Sequence, residues 1–428
     1  MKSWGNIFSI GKLVSLSEFS RSGEVSFSQT CIFGNKRSYG DQATLPDGLQ
    51  YNAKQLNHFI NFDEKKGILR AEGGVLISEI LGLIVPKGWT LQVTPGTKFV
   101  TLGGAVANNI HGKNHHTSGS FGNFVKSIGL FRTDKGNLKL SRTENVDLFE
   151  ATLGGSGLTG LITWVEIKLK KLPSEYLHVQ NIRFKSVEEF FKLSEQSNSW
   201  EYTVAWVDCM PTGKMIGRGV FSRANFVESR EEQYATKMVR KFKVPRLFPS
   251  FLLNKFTIKT FNFLYYNRPS SSSSKITHFD AFFYPLDKMI SWNNLYGRRG
   301  FYQFQCIIPN KNAVSILKRL LSQIALSGQG SFLAVMKVHG AETSPGINNF
   351  CMPGCSLALD FKNKGQQTVS FLKELEEIVL ACGGRIYLAK DALMSCSTFK
   401  QMYPNWTLLN QLKDPKLSSQ MWERLTGE

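Results

Sequence analysis

The chain has 428 residues, 42% of them hydrophobic, and a formal net charge of +19, a profile that suits a globular protein with more than one packed region and excludes a disordered or fibrous chain. No apolar run reaches the roughly 20 residues that a membrane span requires, and the N-terminus lacks the apolar core and small-residue cleavage site of a signal peptide, so a cytoplasmic or inner-face peripheral location is expected. The charge asks for an anionic partner; nucleic acid is not expected, because no helix-turn-helix, zinc-finger or RNP pattern accompanies it.

In chain order, short β-like runs separated by glycine turns occupy the first 170 residues or so, with a helix expected over Leu76 to Val85. Three of these turns are unusually rich in small and cationic residues. The first is Gly34-Asn35-Lys36-Arg37-Ser38-Tyr39-Gly40-Asp41. The second runs through Pro95-Gly96-Thr97 and Thr101-Leu102-Gly103-Gly104-Ala105 to Asn108 and His111-Gly112-Lys113-Asn114-His115-His116. The third is Gly154-Gly155-Ser156-Gly157-Leu158-Thr159-Gly160, which leads into the apolar alternation that begins at Leu161-Ile162. Glycine has no Cβ to keep a main-chain N–H away from pyrophosphate, so the set reads as the cradle of a large anionic cofactor. None of the three fits the strand-GxGxxG-helix unit or a Walker loop, and a phosphate site of another design is expected.

After Leu172-Pro173 the pattern changes. Helices are expected at Val187 to Glu195, Ala313 to Ala325 and Thr368 to Ala381, alternating with strands at Thr203 to Cys209, Thr277 to Phe283, Tyr302 to Ile308 and Leu357 to Phe361, which is a sheet covered by helices. Between them, Lys237, Arg240, Lys241, Lys243, Arg246, Lys255, Lys259 and Arg268 interleave with aromatic and apolar residues, including Leu247. That segment reads either as a solvated surface element or as a lid or interfacial segment that touches a membrane, and Ser270 to Ser274 as a flexible stretch. Seven scattered cysteines argue against a disulfide framework and for a reducing compartment. No metal site is expected: Cys351 and Cys355 lack a second pair, and the Gly and Asn between His111 and His115 suit a loop better than a helix.

Together with Ser118-Gly119-Ser120-Phe121-Gly122-Asn123, Ala205-Trp206-Val207-Asp208, Tyr284-Pro285-Leu286-Asp287, Gln303-Phe304-Gln305, Val335-Met336-Lys337, Tyr387-Leu388-Ala389-Lys390-Asp391 and Asp414-Pro415, these motifs resemble, in order and over nearly the whole chain, the FAD-dependent decaprenylphosphoryl-β-D-ribose 2-oxidases, which belong to the vanillyl-alcohol-oxidase type of flavoprotein. The resemblance implies an α+β, two-domain fold. A PCMH-type FAD-binding domain would cover 1–174, and a substrate domain with an antiparallel sheet covered by helices 175–384, including a mobile basic and aromatic segment at about 237–275. Residues 385–428 would return to the FAD domain. It also implies oxidation of the 2-hydroxyl of a polyprenylphosphoryl-β-D-ribose to the 2-keto sugar, the first half of a 2-epimerisation completed by a separate NAD(P)H-dependent short-chain reductase. An oxidase of another sugar or alditol, and a flavin-binding protein without turnover, remain as alternatives.

Matching positions assign roles. FAD would be held by Gly34, Arg37, Ser38, Tyr39, Gly40, Asp41, Gly96, Thr97, Thr101, Leu102, Gly103, Gly104, Asn108, His111, Gly112, Gly157, Thr159, Ile162 and Tyr387. Lys390 is the candidate cation beside the reduced flavin, and a basic role for it would require burial or a neighbouring cation to lower its pKa. His111 is the other protonic candidate, and Tyr39 completes the catalytic set. Lys113, Trp206, Gln303, Gln305, Lys337 and Lys390 would contact the sugar or its phosphate. The chain also departs from the family pattern. Lys36 stands where a glycine is usual, so a different local turn is expected; Arg37 stands where covalent flavoproteins carry His, so FAD is expected to be dissociable. Ser356 and Ala358 replace an Asn and a Cys, and the region before Cys31 looks too short for an N-terminal helix.

Overall fold

Side-chain alternation along two antiparallel sheets organises the computed structural model, which describes residues 2–16, 29–228, 242–246, 248–269 and 272–427. The first sheet runs Phe59–Asp63, Ile68–Glu72, Leu161–Lys171, Val125–Arg132, Gly136–Ser141, and Trp89–Leu91 adds to Leu161–Lys171. Its inward residues, among them Leu69, Val125, Ile128, Val165 and Ile167, share one core with the helices Ile77–Ile84 and Leu102–Ala107. The helix Ile77–Ile84 buries Ile77, Ile80, Leu81 and Ile84, the single apolar stripe expected of an amphipathic helix on a sheet. A small parallel sheet, Lys12–Val14, Leu49–Asn52, Thr30–Phe33, stands beside it.

The second sheet has eight strands in the order Ser272–His278, Tyr176–Phe184, Gly219–Phe226, Tyr202–Val207, Ala334–His339, Gly354–Lys362, Phe301–Pro309, Arg385–Ile386, all paired antiparallel. The register places Trp206 opposite Val335, Val335 opposite Ala358 and Ala358 opposite Gln305. Because successive residues of a strand point to opposite faces, one face carries Ala205, Phe304, Cys306, Met336, Leu357 and Leu359. Those side chains pack in one core with helices Val187–Glu195, Ala313–Ser327 and Gln366–Ala381. At about 1.5–3 kcal/mol for each large apolar side chain removed from water, this face holds the sheet and helices together. The other face carries Trp206, Gln303, Gln305, Lys337, His339, Ser356 and Asp360.

Two expectations are corrected. Thr277 to Phe283 is not one strand: the strand ends at His278, whose ring accepts the Asp280 N–H (3.2 Å) and caps a short helix, Phe279–Phe283, that buries Phe279, Phe282 and Phe283. Ser272 to Ser274 are not flexible, because they pair with Gln180 to Ile182 at the sheet edge and gain ladder hydrogen bonds there. The 237–275 segment contains, among its described residues, the helix Lys255–Asn267, whose N-cap Asn254 accepts from Phe256 and Thr257 N–H. Lys237, Arg240, Lys241, Leu247, Ser270 and Ser271, and the stretch 17–28 before Cys31, lie outside the described residues.

The end of the chain turns back onto the first sheet. Arg385–Ile386 still pair with Phe301–Pro309, but Ala389 O accepts from Tyr39 N–H (3.1 Å) and the Asp414 carboxylate accepts from Thr133 N–H and Oγ1 (2.7 and 2.6 Å). Arg424 donates from Nε and Nη2 to Asp41 (both 2.8 Å) and from Nη2 to Asp391 (2.9 Å), and both carboxylates are buried. Truncating the arginine leaves two buried carboxylates facing each other. Arg424→Met is therefore expected to lower the unfolding free energy by about 3–5 kcal/mol in urea titrations, and Arg424→Lys, which keeps the charge but loses the fork, by less.

Candidate active site

The polar face of the eight-stranded sheet is where the first-half loops and the returning C-terminal turn converge. Within residues 387–391, Lys390 and Asp391 N–H both donate to Tyr387 O, and this tight turn directs Lys390 inward. Its Nζ lies 3.5 Å from the centroid of the Tyr39 ring. Burial, together with Lys337 and against the pull of Asp360, lowers the Lys390 amine to about 7. The burial that a basic role requires is therefore present.

Asp360 is the residue that sequence reasoning missed. It is buried, accepts from Gln303 Nε2 (2.6 Å) and Tyr296 OH (3.5 Å), and burial pushes its carboxyl up to about 7. A carboxylate within the apolar run Leu357-Ala358-Leu359-Asp360-Phe361, in phase with Ser356 and Ala358, was the signal that could have found it. Gln303, expected on the sugar, is held by Asp360. Tyr39, expected in catalysis, packs edge-on against Phe301 and its ring underlies Lys390 Nζ; burial followed by Asp360 holds its hydroxyl well above the usual value, so the hydroxyl keeps its proton.

His111 faces the same space from the other side. Gln305 Nε2 lies 2.9 Å from His111 Nε2, and the imidazole is packed among Phe350, Tyr387 and His339 with Nδ1 unpartnered. Burial, then Lys337, His115 and Lys390, keep this ring well below its usual pKa. Lys337 approaches Gly112 O (3.5 Å) and is lowered to about 8 by burial; Lys113 donates to Phe282 O and is lowered to about 7 by burial and Lys337. Trp206 stands apart, its Nε1 bonded to Phe332 O (3.0 Å) and its ring against Tyr265 of the exposed helix.

The glycines divide into two groups. A Cβ on Gly40 would lie 1.7 Å from Asp391 O, on Gly34 2.3 Å from Thr101 Oγ1, on Gly103 3.0 Å from Gly73 O and on Gly112 2.8 Å from Asn114 Oδ1. These four make room for neighbouring protein. Gly96 and Gly157 have nothing within 4 Å and keep the open character expected of a cofactor cradle. Other expected contacts are spent inside the protein: Asp41 on Arg424, Thr159 Oγ1 on Thr152 Oγ1 (2.9 Å), Thr101 Oγ1 on Gly104 N–H (3.1 Å), and Gly103 N–H on Gly73 O (2.7 Å). Leu102 and Ile162 are core residues. Ser38 is linked through Gln42 to Ser156 (2.8 and 2.9 Å), Thr97 Oγ1 accepts from Phe99 N–H (3.3 Å), and Tyr387 OH donates to Asn108 O (3.0 Å). Lys36 takes φ at 52° despite its side chain, the left-handed region that a glycine would occupy freely, at a strain of about 1–2 kcal/mol.

These residues fit a large anion with hydrogen-bonding edges. Arg37 Nε, Asn108 Oδ1, His111 Nδ1 and both amide atoms of Asn348 are buried without a partner, a state that costs about 1–3 kcal/mol per group. Asn108 and Asn348 line one cleft with Gly154, Ser156, Phe350 and Tyr387. Three half-buried lysines, Lys113, Lys337 and Lys390, stand nearby, with Asp360 as the carboxylate that faces them.

A model described as the FAD binding domain matches residues 28–140, the segment that holds the first loops of this cleft. The chain is 34% identical over 410 residues to Decaprenylphosphoryl-beta-D-ribose oxidase of Mycolicibacterium smegmatis, an alignment that covers 92% of this chain and 88% of that protein. The chain belongs to that oxidase family. It is accordingly an FAD-dependent oxidoreductase with the two-domain vanillyl-alcohol-oxidase architecture. An uncharacterized protein of Streptomyces coelicolor is 26% identical over 77% of this chain and 92% of its own length. D-lactate dehydrogenase of Anaerostipes hadrus is 22% identical over 43% of this chain and 41% of its own.

The contact between Gly40 and Asp391 O makes a test of how the family's lysine turn is seated. Gly40→Ala should push that turn away, so that the purified protein carries markedly less FAD and unfolds at lower urea, by about 2 kcal/mol or more. Gly82→Ala, within the helix Ile77–Ile84 and with nothing within 4 Å, should leave FAD content unchanged and stabilise by about 0.5–1 kcal/mol.

Proposed function

We propose that this enzyme oxidises the 2-hydroxyl of a polyprenylphosphoryl-β-D-ribose to the 2-keto sugar, with Lys390 as the group that takes the hydroxyl proton. The observation that carries the reading is the half-buried Lys390, its Nζ 3.5 Å over the Tyr39 ring and its amine lowered to about 7, in a chain similar over most of its length to a protein named for that sugar lipid. When bound, FAD supplies the hydride acceptor. Uncharged Nζ of Lys390 accepts the proton of the alcohol, and the ammonium so formed lies over the Tyr39 ring, within electrostatic reach of Asp360. That same positive charge then stands ready for the negative charge gained on reduction.

His111 takes no proton in this scheme. Held below its usual pKa, it stays neutral and, with Gln305, orients the sugar; Lys337 and Lys113 meet the phosphate. Ser356 lies 2.9 Å from His339 through its Oγ, so it is occupied where the family's asparagine would reach the sugar, and recognition shifts toward Gln305 and His111. Arg37, stacked 4.1 Å from the Trp4 ring, cannot form the covalent flavin link made by a histidine, and FAD is held reversibly. In this reading 1–174 binds FAD, 175–384 binds substrate and 385–428 returns to the first domain, with Arg385–Ile386 still paired to the second sheet. A separate NAD(P)H-dependent reductase consumes the keto product.

The chemistry has a sign that can be measured. Because Lys390 must be unprotonated, anaerobic flavin bleaching by polyprenylphosphoryl ribose should rise with pH through about 7 and level above it; Asp360, Lys337, Tyr39 and His111 are the groups that face the amine. Lys390→Met should keep yellow FAD, slow bleaching by about two to four orders of magnitude and abolish that limb. Equal bleaching by free ribose or alditols would point instead to the soluble-sugar reading.

A membrane-borne substrate also accounts for the helix Lys255–Asn267. It buries only Ile258 and Asn262, while Phe256 is 78%, Phe263 55% and Leu264 63% exposed beside Lys255 and Lys259. No described helix is long and apolar enough to cross a membrane. The enzyme should co-float with vesicles containing anionic lipid more than with zwitterionic ones, and Phe256→Ser with Phe263→Ser should reduce flotation without changing FAD content.

A further inference from the structure

Beyond the flavin chemistry, the fold assembles a trio of soft ligands that the proposed reaction does not use. His115 comes from the short helix His115–Ser118, His339 from the end of strand Ala334–His339, and Cys351 from the loop that precedes strand Gly354–Lys362. All three are buried, and one ligand atom from each lies within 4.8 Å of the other two. His115 Nε2 lies 3.2 Å from Ser344 Oγ and His339 Nε2 2.9 Å from Ser356 Oγ, while Nδ1 of both rings is buried without any partner. When Nε2–H donates to each serine, both Nδ1 lone pairs are left for another acceptor of electrons.

The surroundings hold this trio in place. Gly340 lets the strand end pack against the His116 backbone, where a Cβ would lie 2.7 Å from His116 O. Asn349 spans the loop by donating to Ser344 O (3.0 Å) and Cys351 O (3.3 Å), and Asn109 Nδ2 and Asn123 Nδ2 donate to Pro345 O and Thr343 O (2.6 and 3.0 Å). Lys337, the nearest fixed cation on the same strand, approaches Gly112 O. A histidine whose far nitrogen is fixed by a hydroxyl is the arrangement that orients imidazole ligands on a metal.

We propose that His115, His339 and Cys351 form a binding site for one thiophilic divalent cation, with Zn²⁺ as the natural fit. Imidazole nitrogen and thiolate sulfur are the donors zinc selects, at about 2.0–2.3 Å. Ligand atoms around tetrahedral zinc lie roughly 3.3–3.8 Å apart, so small shifts of Cys351 and of the two rings, whose centroids lie 4.4 Å apart, close the trio. On binding, the Cys351 S–H proton leaves to solvent, a Zn–S bond forms, and each histidine contributes its Nδ1 lone pair; a water completes the fourth position. Three protein ligands and an open place make an exchangeable site rather than a structural one. His339 is packed against His111, at 5.2 Å between ring centroids, so an ion held here adds positive charge at the edge of the oxidation site.

The test uses chelator-treated holoenzyme and Co²⁺ as the probe, read by its long-wavelength tetrahedral bands, which lie clear of flavin absorption, with Zn²⁺ as competitor. One equivalent per chain with a thiolate charge-transfer band is expected. Cys351→Ser and His339→Phe should each weaken binding about 100-fold or more, and Ser356→Ala, which loses only the hydroxyl behind His339, about 10-fold. FAD content and urea midpoint identify the variants that are folded, and the conservative Ser356→Ala supplies the reading if either ligand variant is not. Absence of a tetrahedral Co²⁺ spectrum in the unaltered enzyme, or equal affinity in the folded variants, overturns the proposal.

Discussion

A lysine drawn into the seam between the first glycine loop and the returning end of the chain is the constraint on which the rest of this structure turns. Lys390 reaches its place only because Gly40 leaves room for Asp391 O, Ala389 O accepts from Tyr39, and Arg424 ties Asp391 to Asp41. Each of these contacts joins the first turn of the chain to its last forty or so residues. Burial then sets the proton affinity: an amine that titrates near 10.4 in water is lowered to about 7, which is the condition the proposed proton transfer needs.

The eight-stranded sheet separates stability from chemistry by the two-residue repeat of a strand. In Gly354–Lys362, Leu357, Leu359 and Phe361 pack under the helices, while Ser356, Ala358 and Asp360 look toward the cofactor loops. The same division sets Gln303 and Gln305 against Phe304 and Cys306 in Phe301–Pro309. Polar groups can therefore accumulate on one face while the other keeps a continuous apolar core.

Much of this was legible before any coordinates. The helix Val187–Glu195 carries its own signals, with Ser186 capping the Glu189 N–H and Val187 and Phe190 on one side, and its bounds match those read from the sequence. Lys390 was found because its neighbours form a contiguous motif. Asp360 and His339 were not singled out, and Cys351 was set aside as a metal ligand, because the neighbours that give each its setting lie far away in the chain. The helix Phe279–Phe283 was misread because a run of aromatics suits strand and helix equally until the His278 cap and the buried i, i+3, i+4 contacts decide.

By itself the sequence determined the class of the protein: turns of glycine and cation for a large anionic cofactor, alternating strands, amphipathic helices, and ordered motifs whose resemblance to a flavoprotein family named the flavin and the lysine, all of which are local properties of short segments. Tertiary structure alone decided what the glycines are for. Of Gly34, Gly40, Gly96, Gly103, Gly112 and Gly157 in the expected cofactor loops, Gly96 and Gly157 stay open and the other four admit neighbouring backbone or side-chain atoms, a distinction that no local pattern contains. It alone decided that Gln303 holds Asp360, that Tyr39 underlies Lys390, and that two histidines meet a cysteine. Proximity of distant residues and exclusion of water set hydrogen bonds and proton affinities, and both arise only when the chain closes on itself.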